Sequence, residues 1–92
     1  MRYQLEYSEE AYRAIRNLPG NYRQRIRRLI ESLADVPRPA QAKELRDNPN
    51  GYRIWVDRWR VIYRVDDENE IVFIAAIRQK RGPETYQDVQ WN

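Results

Sequence analysis

Two arginines on neighbouring strand-like segments are the side chains in this sequence best suited to chemistry. Apolar and polar residues alternate around both, so Arg53 points away from Ile54 and Arg60 points away from Val61. Both guanidinium groups are therefore expected on one face of a β-sheet. A guanidinium is a planar fork that grips phosphate oxygens in two places and stacks on flat rings. Alternation alone leaves two interpretations of this pair open, a surface that binds a phosphate-bearing ligand and surface arginines that pair with neighbouring carboxylates.

The composition indicates nucleic acid as the class of ligand. Lys and Arg number 17 against 14 Asp and Glu, which gives a net charge of +3, and the chain also holds 7 Tyr and 3 Trp. Basic groups neutralise phosphates and aromatic rings stack on bases, so the combination favours a nucleic-acid partner. Composition alone fits an arginine-rich solvated surface over an aromatic core equally well.

Histidine and cysteine are both missing from the sequence. Their absence excludes histidine acid–base catalysis, the usual zinc sites and disulfide bonds, and it fits a reducing cytoplasm. Any proton transfer must then use Tyr, Lys, Arg, Asp or Glu side chains, or groups of a partner. The acidic run from Asp66 to Glu70 is consecutive, which is typical of a hairpin turn and not of convergent metal ligands. No metal ion and no cofactor are predicted.

No segment is expected to enter a membrane. The first twenty residues carry charges throughout, unlike a secretory leader. The longest apolar run, from Ile71 to Ile77, is far too short to span a bilayer. We therefore expect a cytoplasmic protein. A chain of 92 residues without a linker or repeat predicts a single domain over residues 1–92.

The periodicity of apolar residues predicts an α+β fold. Alternation from Arg2 to Tyr7 indicates a first strand, and helical spacing follows on both sides of Pro19-Gly20. Ser8 and Asn21 are of the residue types that cap helix N-termini. From Gly51 onward alternation returns and predicts three strands. The economical architecture is a small antiparallel sheet with an N-terminal strand, a helical hairpin on one face and three C-terminal strands.

The order of elements and the local sequence resemble the RelE/ParE toxin superfamily. In its paired strands a Tyr-Arg-Ile segment precedes an aromatic-Arg-Val-Ile-Tyr segment, here Tyr52-Arg53-Ile54 and Trp59-Arg60-Val61-Ile62-Tyr63. An apolar strand, a basic segment and the late Tyr86 follow in the same order. The resemblance covers nearly the entire chain. It implies the fold described above and a toxin of a type II toxin–antitoxin system.

The resemblance leaves two activities open, because the superfamily contains two kinds of toxin. RelE-like toxins cut mRNA in the ribosomal A site and inhibit translation, whereas ParE-like toxins inhibit DNA gyrase, and a shared fold does not choose between them. The basic residues that accompany Tyr86 favour a RelE-like, metal-independent endoribonuclease, an mRNA interferase. The alternatives are a ParE-like gyrase inhibitor without nuclease activity and a degenerate member that mainly binds its antitoxin or DNA.

The same resemblance implies which residues are catalytic. Attack by a 2′-hydroxyl needs a base, cations that stabilise the phosphate and an acid for the leaving oxygen. RelE-like enzymes meet these needs with Lys, Arg and Tyr. Arg53 and Arg60 match the strand-borne basic positions, with Arg60 as the expected phosphate clamp, and Tyr86 matches the late tyrosine. Ungapped counting from Tyr86 places Lys80 at the last basic position, a shift of one residue favours Arg81, and Arg78 at the end of the strand is a further alternative.

One position departs from the RelE-like pattern. Two residues after Arg53, where those ribonucleases often carry a second basic residue, this chain has Trp55. A tryptophan stacks on a base but neither stabilises a phosphate nor moves a proton, which puts the rate or mechanism of cleavage in question. Alternatively, Trp55 covers an exposed edge or lies beneath the antitoxin. The residues expected to bind RNA beside the catalytic set are Trp55, Arg64, Arg78, Arg23 and Arg27, with a solvated helix face as the alternative for the last two.

The partners follow from the resemblance. A cognate antitoxin, acidic and partly disordered when free, is expected to cover the apolar and arginine-rich surfaces. The ribosome and mRNA are the expected targets. Operator DNA is expected to be bound through the toxin–antitoxin complex, mainly by the antitoxin.

Overall fold

The described residues form five strands and two helices. The computed structural model describes residues 2–80 together with Val89 and Trp91. Along the chain the elements are β1 (Gln4–Tyr7), α1 (Glu9–Asn17), α2 (Gly20–Leu33), β2 (Lys43–Glu44), β3 (Gly51–Val56), β4 (Trp59–Asp66) and β5 (Ile71–Gln79). The predicted order of one strand, two helices and three strands is confirmed, and β2 adds a short strand before the last three.

The starts of the two helices have different causes. The Ser8 hydroxyl accepts a hydrogen bond from the Ala11 amide at 3.0 Å, so the predicted serine cap of α1 is confirmed. Helix α2 begins at Gly20, directly after Pro19, and the predicted cap at Asn21 is wrong. The proline ring fixes the turn into the helix, and the Pro19 carbonyl accepts the Arg23 amide at 2.9 Å. Within residues 2–80, neither helix is long and apolar enough to cross a membrane.

The sheet is mixed, which corrects the prediction of an antiparallel sheet. Its strands lie in the order β1-β5-β4-β3-β2, and every adjacent pair is antiparallel except the first. Strand β1 runs parallel to β5, with Leu5 opposite Val72. Alternation within a strand carries no information about its direction relative to a neighbour this distant in sequence. The parallel pairing was therefore out of reach of the sequence pattern.

The two helices cover one face of the sheet and bury most of the core there. Residues from α1, α2 and every strand except β2 contribute, among them Ile15, Ile26, Leu33, Ile54 and Ile74. A fully buried Leu or Ile side chain contributes roughly 1.5–3 kcal/mol. A smaller cluster of Leu45, Ile62 and Ala76 lies apart from this core, with Val89 and Trp91 packed on it. This smaller cluster lies on the face of the sheet opposite the helices, and polar side chains lie around it on that face.

A β-bulge decides which side chains of β5 reach that second face. The pairing with β4 shifts between Ile62 and Tyr63, which leaves Ala75 of β5 without a partner on β4. The extra residue reverses the alternation of β5. Arg78 therefore lies opposite Arg60 and on its side of the sheet. Strict alternation along β5 would have turned Arg78 toward the helices.

Candidate nucleic-acid interface

The strand register collects basic side chains on the face of the sheet opposite the helices. Trp55 lies directly across from Arg60, and Arg60 lies across from Arg78 on the next strand. Side chains of directly opposed residues emerge on the same side of a sheet. Alternation places Arg53 and Arg64 on this side as well. We call this surface the basic face, and it carries Arg53, Trp55, Arg60, Arg64 and Arg78.

Three cations converge on one exposed indole ring at the end of the basic face. The guanidinium carbon of Arg60 lies 3.4 Å from the centroid of the Trp55 ring. The Lys80 Nζ lies 5.1 Å from that centroid and the Arg53 guanidinium carbon 6.0 Å. We call these four residues the Trp55 cluster. The structure thus brings together three of the side chains expected to be catalytic, around the residue that departs from the family pattern.

Arg60 lies in the interior of this cluster and is only 2% exposed. Its Nη1 donates to the Asp57 and Trp59 carbonyls at 2.8 and 3.2 Å, whereas its Nε has no partner among the described residues. No described carboxylate forms a salt bridge with it. Arginine stays charged in proteins, so a buried positive charge remains beneath the Trp55 indole. At this exposure Arg60 has almost no surface that a phosphate could contact directly.

The two other arginines of the basic face differ in their partners. Arg78 donates from Nε and Nη2 to the two carboxylate oxygens of Glu10, at 2.7 and 2.9 Å, in a two-pronged ion pair with helix α1. Arg64 lies with its guanidinium carbon 5.9 Å from the Phe73 ring, and its buried Nε has no partner among the described residues. Glu10 therefore partly neutralises Arg78, while Arg64 keeps an unmatched donor.

The two helix arginines expected to bind RNA lie away from the basic face. Arg23 donates to the carbonyls of Ile15, Arg16 and Leu18 at 3.0–3.1 Å, so it caps the C-terminal end of α1. Arg27 lines an open groove of about 330 Å³ between β1, α1 and α2, together with Tyr7, Tyr12, Ile15, Arg16 and Glu31. Contacts of Arg23 and Arg27 with RNA stay predictions, on a surface separate from the Trp55 cluster.

Two of the expected catalytic residues, Arg81 and Tyr86, lie outside the described residues.

The sequence analysis did not identify one basic residue that lies next to the Trp55 cluster. Lys43 on β2 is exposed and lies directly opposite Arg53, so it extends the row of cations toward the sheet edge. The alternation around Lys43-Glu44-Leu45 was the available signal, although three residues are too few to identify a strand. No group of three or more His, Cys, Asp or Glu side chains within the described part of the chain is arranged to hold a metal ion.

A second arginine cluster, which sequence reasoning also missed, lies at the turn between β4 and β5. Arg38 donates to both carboxylate oxygens of Asp67 at 2.8 and 3.1 Å and to the Tyr52 hydroxyl at 2.7 Å. The Tyr3 hydroxyl donates to the same carboxylate at 2.5 Å. We call Tyr3, Arg38, Tyr52 and Asp67 the Arg38 cluster. The hydrogen bonds from Arg38 and then Tyr3 lower the pKa of Asp67, and the bond to Asp67 raises the pKa of Tyr3.

Comparison with known proteins places the chain among bacterial and archaeal toxins. A sequence model of the ParE toxin of type II toxin–antitoxin systems matches residues 5–82. The chain is 28% identical over 90 residues to the mRNA interferase toxin RelE of Escherichia coli K12, covering 96% of this chain and 94% of that protein. It is 26% identical over 85 residues to the putative toxin RelE1 of Methanocaldococcus jannaschii, covering 89% and 94%.

The fold is similar to that of solved RelE structures. The isolated E. coli RelE toxin superposes with a TM-score of 0.77 at 28% identity, over 91% of this chain and 90% of that one. The intact E. coli RelBE toxin–antitoxin complex contains a chain that superposes with a TM-score of 0.76 at 27% identity, over 86% and 98%. The match of the sequence model to most of the chain establishes that this protein belongs to the ParE toxin family of type II toxin–antitoxin systems.

Proposed function

We propose that this toxin cleaves mRNA on the ribosome as a metal-independent endoribonuclease and thereby inhibits translation in the cytoplasm. One observation supports the proposal most strongly. Arg53, Arg60 and Lys80 surround one exposed ring, and neither Arg60 nor Lys80 forms a salt bridge with a described carboxylate. Uncompensated positive charge at a surface attracts a polyanion and stabilises charge that develops on a phosphate. The similarity to an mRNA interferase supports RNA as that polyanion.

The proposed chemistry divides among the cations by their exposure. Lys80 is exposed and Arg53 is partly exposed, so they contact the phosphate first. Arg60 adds its positive charge from beneath the Trp55 ring. Tyr86, together with Arg81, is proposed to assist proton transfer or to stack on a base. In this proposal the toxin is a single domain, and its own side chains cleave the RNA without a metal or cofactor.

Cleavage of mRNA on programmed ribosomes tests this function. The wild type is compared with Arg60→Ala and Tyr86→Phe, and with Arg13→Ala, an exposed arginine on α1, as the matched control. We expect cuts within the A-site codon that Arg60→Ala abolishes and Arg13→Ala retains. Loss in Tyr86→Phe would assign that hydroxyl a proton-transfer role. A toxin that arrests growth yet makes no cuts at saturating concentration would contradict the proposal.

Inhibition of DNA gyrase is the second candidate, because the matching sequence model is that of ParE. Trp55 at a position where RelE-like ribonucleases often have a basic residue also favours it. This function predicts inhibited supercoiling in vitro, and it makes Trp55 and the helix hairpin more important than Tyr86. A degenerate member that only binds its antitoxin or DNA would arrest neither translation nor growth.

A cognate antitoxin is the proposed partner, supported by the toxin–antitoxin complexes among the similar structures. The groove beside Tyr7 and Tyr12 joins exposed aromatic rings to Arg16 and Arg27. An acidic, partly disordered segment with apolar side chains matches that combination in charge and hydrophobicity. The ribosome, mRNA and, through the antitoxin complex, operator DNA complete the proposed set of partners.

A further inference from the structure

The Trp55 indole is a large apolar ring that the fold leaves in solvent. It is 51% exposed, although the apolar cluster of Leu45, Ile62 and Ala76 lies on the same side of the sheet. An indole that packed into that cluster would remove its apolar surface from water. Trp55 instead lies over the guanidinium of Arg60. Packing in the hydrophobic core therefore does not explain why a tryptophan stands at this position.

The guanidinium of Arg60 packs directly on the Trp55 indole. Its carbon lies 3.4 Å from the ring centroid, which is van der Waals contact between two flat groups. Arg60 itself is fixed by the carbonyls of Asp57 and Trp59. The indole therefore packs on a fixed cation while about half of the Trp55 surface stays exposed. A rigid, half-exposed ring is suited to stack on a flat ligand.

Two cations near the ring indicate which flat ligand fits. The Lys80 Nζ and the Arg53 guanidinium carbon lie 5.1 and 6.0 Å from the Trp55 centroid. A base stacked on the indole brings its flanking phosphates within reach of both side chains. A free aromatic side chain of a protein would carry no such anions. The arrangement therefore fits a nucleotide within a single strand, because a base in a duplex has no free face.

We propose that the exposed surface of the Trp55 ring is a stacking site for one unpaired purine base of RNA, with Arg53 and Lys80 binding the phosphates beside it. A purine is favoured over a pyrimidine because its two fused rings overlap an indole over a larger area. This site deepens the proposed ribonuclease function by naming the class of base next to the cleavage centre. It rests on that function for its biological role, but its binding is measured independently of cleavage.

Equilibrium binding of short uncleavable strands tests the site. The full chain is titrated into fluorescein-labelled hexamers of 2′-O-methyl adenosine and 2′-O-methyl uridine, which have no free 2′-hydroxyl, at one fixed low salt concentration. We expect the adenosine strand to bind several-fold more tightly. Trp55→Leu should weaken its binding about tenfold, the usual effect of losing one base–aromatic stack, and should abolish the preference. Trp55→Phe should retain part of both.

Two further variants separate stacking from charge and from general damage. Val36→Ala removes an apolar side chain that is 56% exposed in the loop after α2, outside both the basic face and the groove beside Tyr7, and should leave both affinities unchanged. Lys80→Gln should weaken both strands equally and reduce the salt dependence by about one phosphate contact. Thermal unfolding of each variant checks that it is folded. If Trp55→Leu does not fold, Trp55→Phe still tests the site.

The outcomes distinguish the site from the proposed function. Equal binding of the two strands by the wild type would overturn the purine site, as would unchanged adenosine binding in a folded Trp55→Leu or Trp55→Phe variant. The exposed Trp55 ring would then be assigned to contact with a protein partner. A purine preference that depends on Trp55, in a toxin that makes no cuts on ribosomes, would support the site and contradict the ribonuclease.

Discussion

Arg38 and Arg60 both lie against aromatic rings, and they differ in what balances their charge. The Arg38 guanidinium carbon is 5.4 Å from the Tyr52 centroid, and Asp67 accepts two of its hydrogen bonds. Arg60 is closer to its ring, at 3.4 Å from the Trp55 centroid, but its described hydrogen-bond partners are the carbonyls of its own hairpin. An internal carboxylate neutralises the first arginine. No carboxylate within the described part of the chain forms a salt bridge with the second.

This difference separates a cluster whose charges are balanced within the fold from the cluster proposed to bind RNA. The Arg38 cluster joins four distant parts of the chain: the start of β1, the loop after α2, β3 and the β4–β5 turn. The ion pair raises the pKa of Arg38, which accords with a charge satisfied inside the fold. The Trp55 cluster joins only the ends of β3, β4 and β5. Removing each arginine should therefore affect different properties of the protein.

The largest effect is expected for Arg60→Met, which removes the charge and keeps much of the side-chain length. Cleavage on programmed ribosomes should fall at least about 100-fold, as when one preorganised donor to a developing negative charge is lost. The thermal midpoint should stay the same or rise, because a buried charge without a counterion costs stability. Retained cleavage, or a midpoint far below that of the wild type, would place Arg60 with the structural arginines.

Arg38→Met should do the opposite. Its loss removes the hydrogen bonds to Asp67 and Tyr52, so the thermal midpoint should fall by roughly 5 °C for a domain of this size. Cleavage per folded molecule should be unchanged. Arg46→Met, at an exposed arginine before β3, is the matched control and should change neither property. An unaltered midpoint in Arg38→Met would show that solvent already replaces these bonds.

The Arg38 cluster should also give the stability a dependence on acid. Because the folded state lowers the pKa of Asp67, its ion pair stabilises the fold above the ordinary aspartate value of about 3.9. That contribution is lost as the pH falls through the lowered pKa. Thermal midpoints of wild type and Asp67→Asn should therefore differ at about pH 7 and converge at about pH 2. A constant difference across that range would assign the effect to packing and not to charge.

The smallest effect is expected where a carboxylate competes with the ligand. Glu10→Gln replaces the charged partner of Arg78 with a neutral one, so Arg78 becomes more available to phosphate. Affinity for a uridine hexamer should rise about two- to threefold, and its salt dependence should steepen by about one contact. The isosteric change should leave Trp55-dependent purine preference intact. Weaker RNA binding would mean that Glu10 positions Arg78 for the ligand instead of competing for it.

Much of this structure follows from local patterns in the sequence. Alternation predicted that Arg53 and Arg60 share a face, because successive side chains of a strand point to opposite sides whatever the strand pairs with. The serine before α1 predicted its own cap, since that hydrogen bond spans three residues. The ordered segments also led to the right superfamily. These features depend on neighbours within a few positions, where residue type is decisive.

Only the tertiary structure decided how distant segments meet. The parallel pairing of β1 with β5, and the ion pair of Arg78 with Glu10 across 68 positions, involve groups that no local pattern connects. A single bulge at Ala75 set the side on which Arg78 emerges. The burial of Arg60 beneath Trp55 likewise required three strands in register. The sequence by itself determined which residues are basic and to which side β3 and β4 turn them, because those properties are local. Packing decided which charges are neutralised, because that depends on what the fold places beside them.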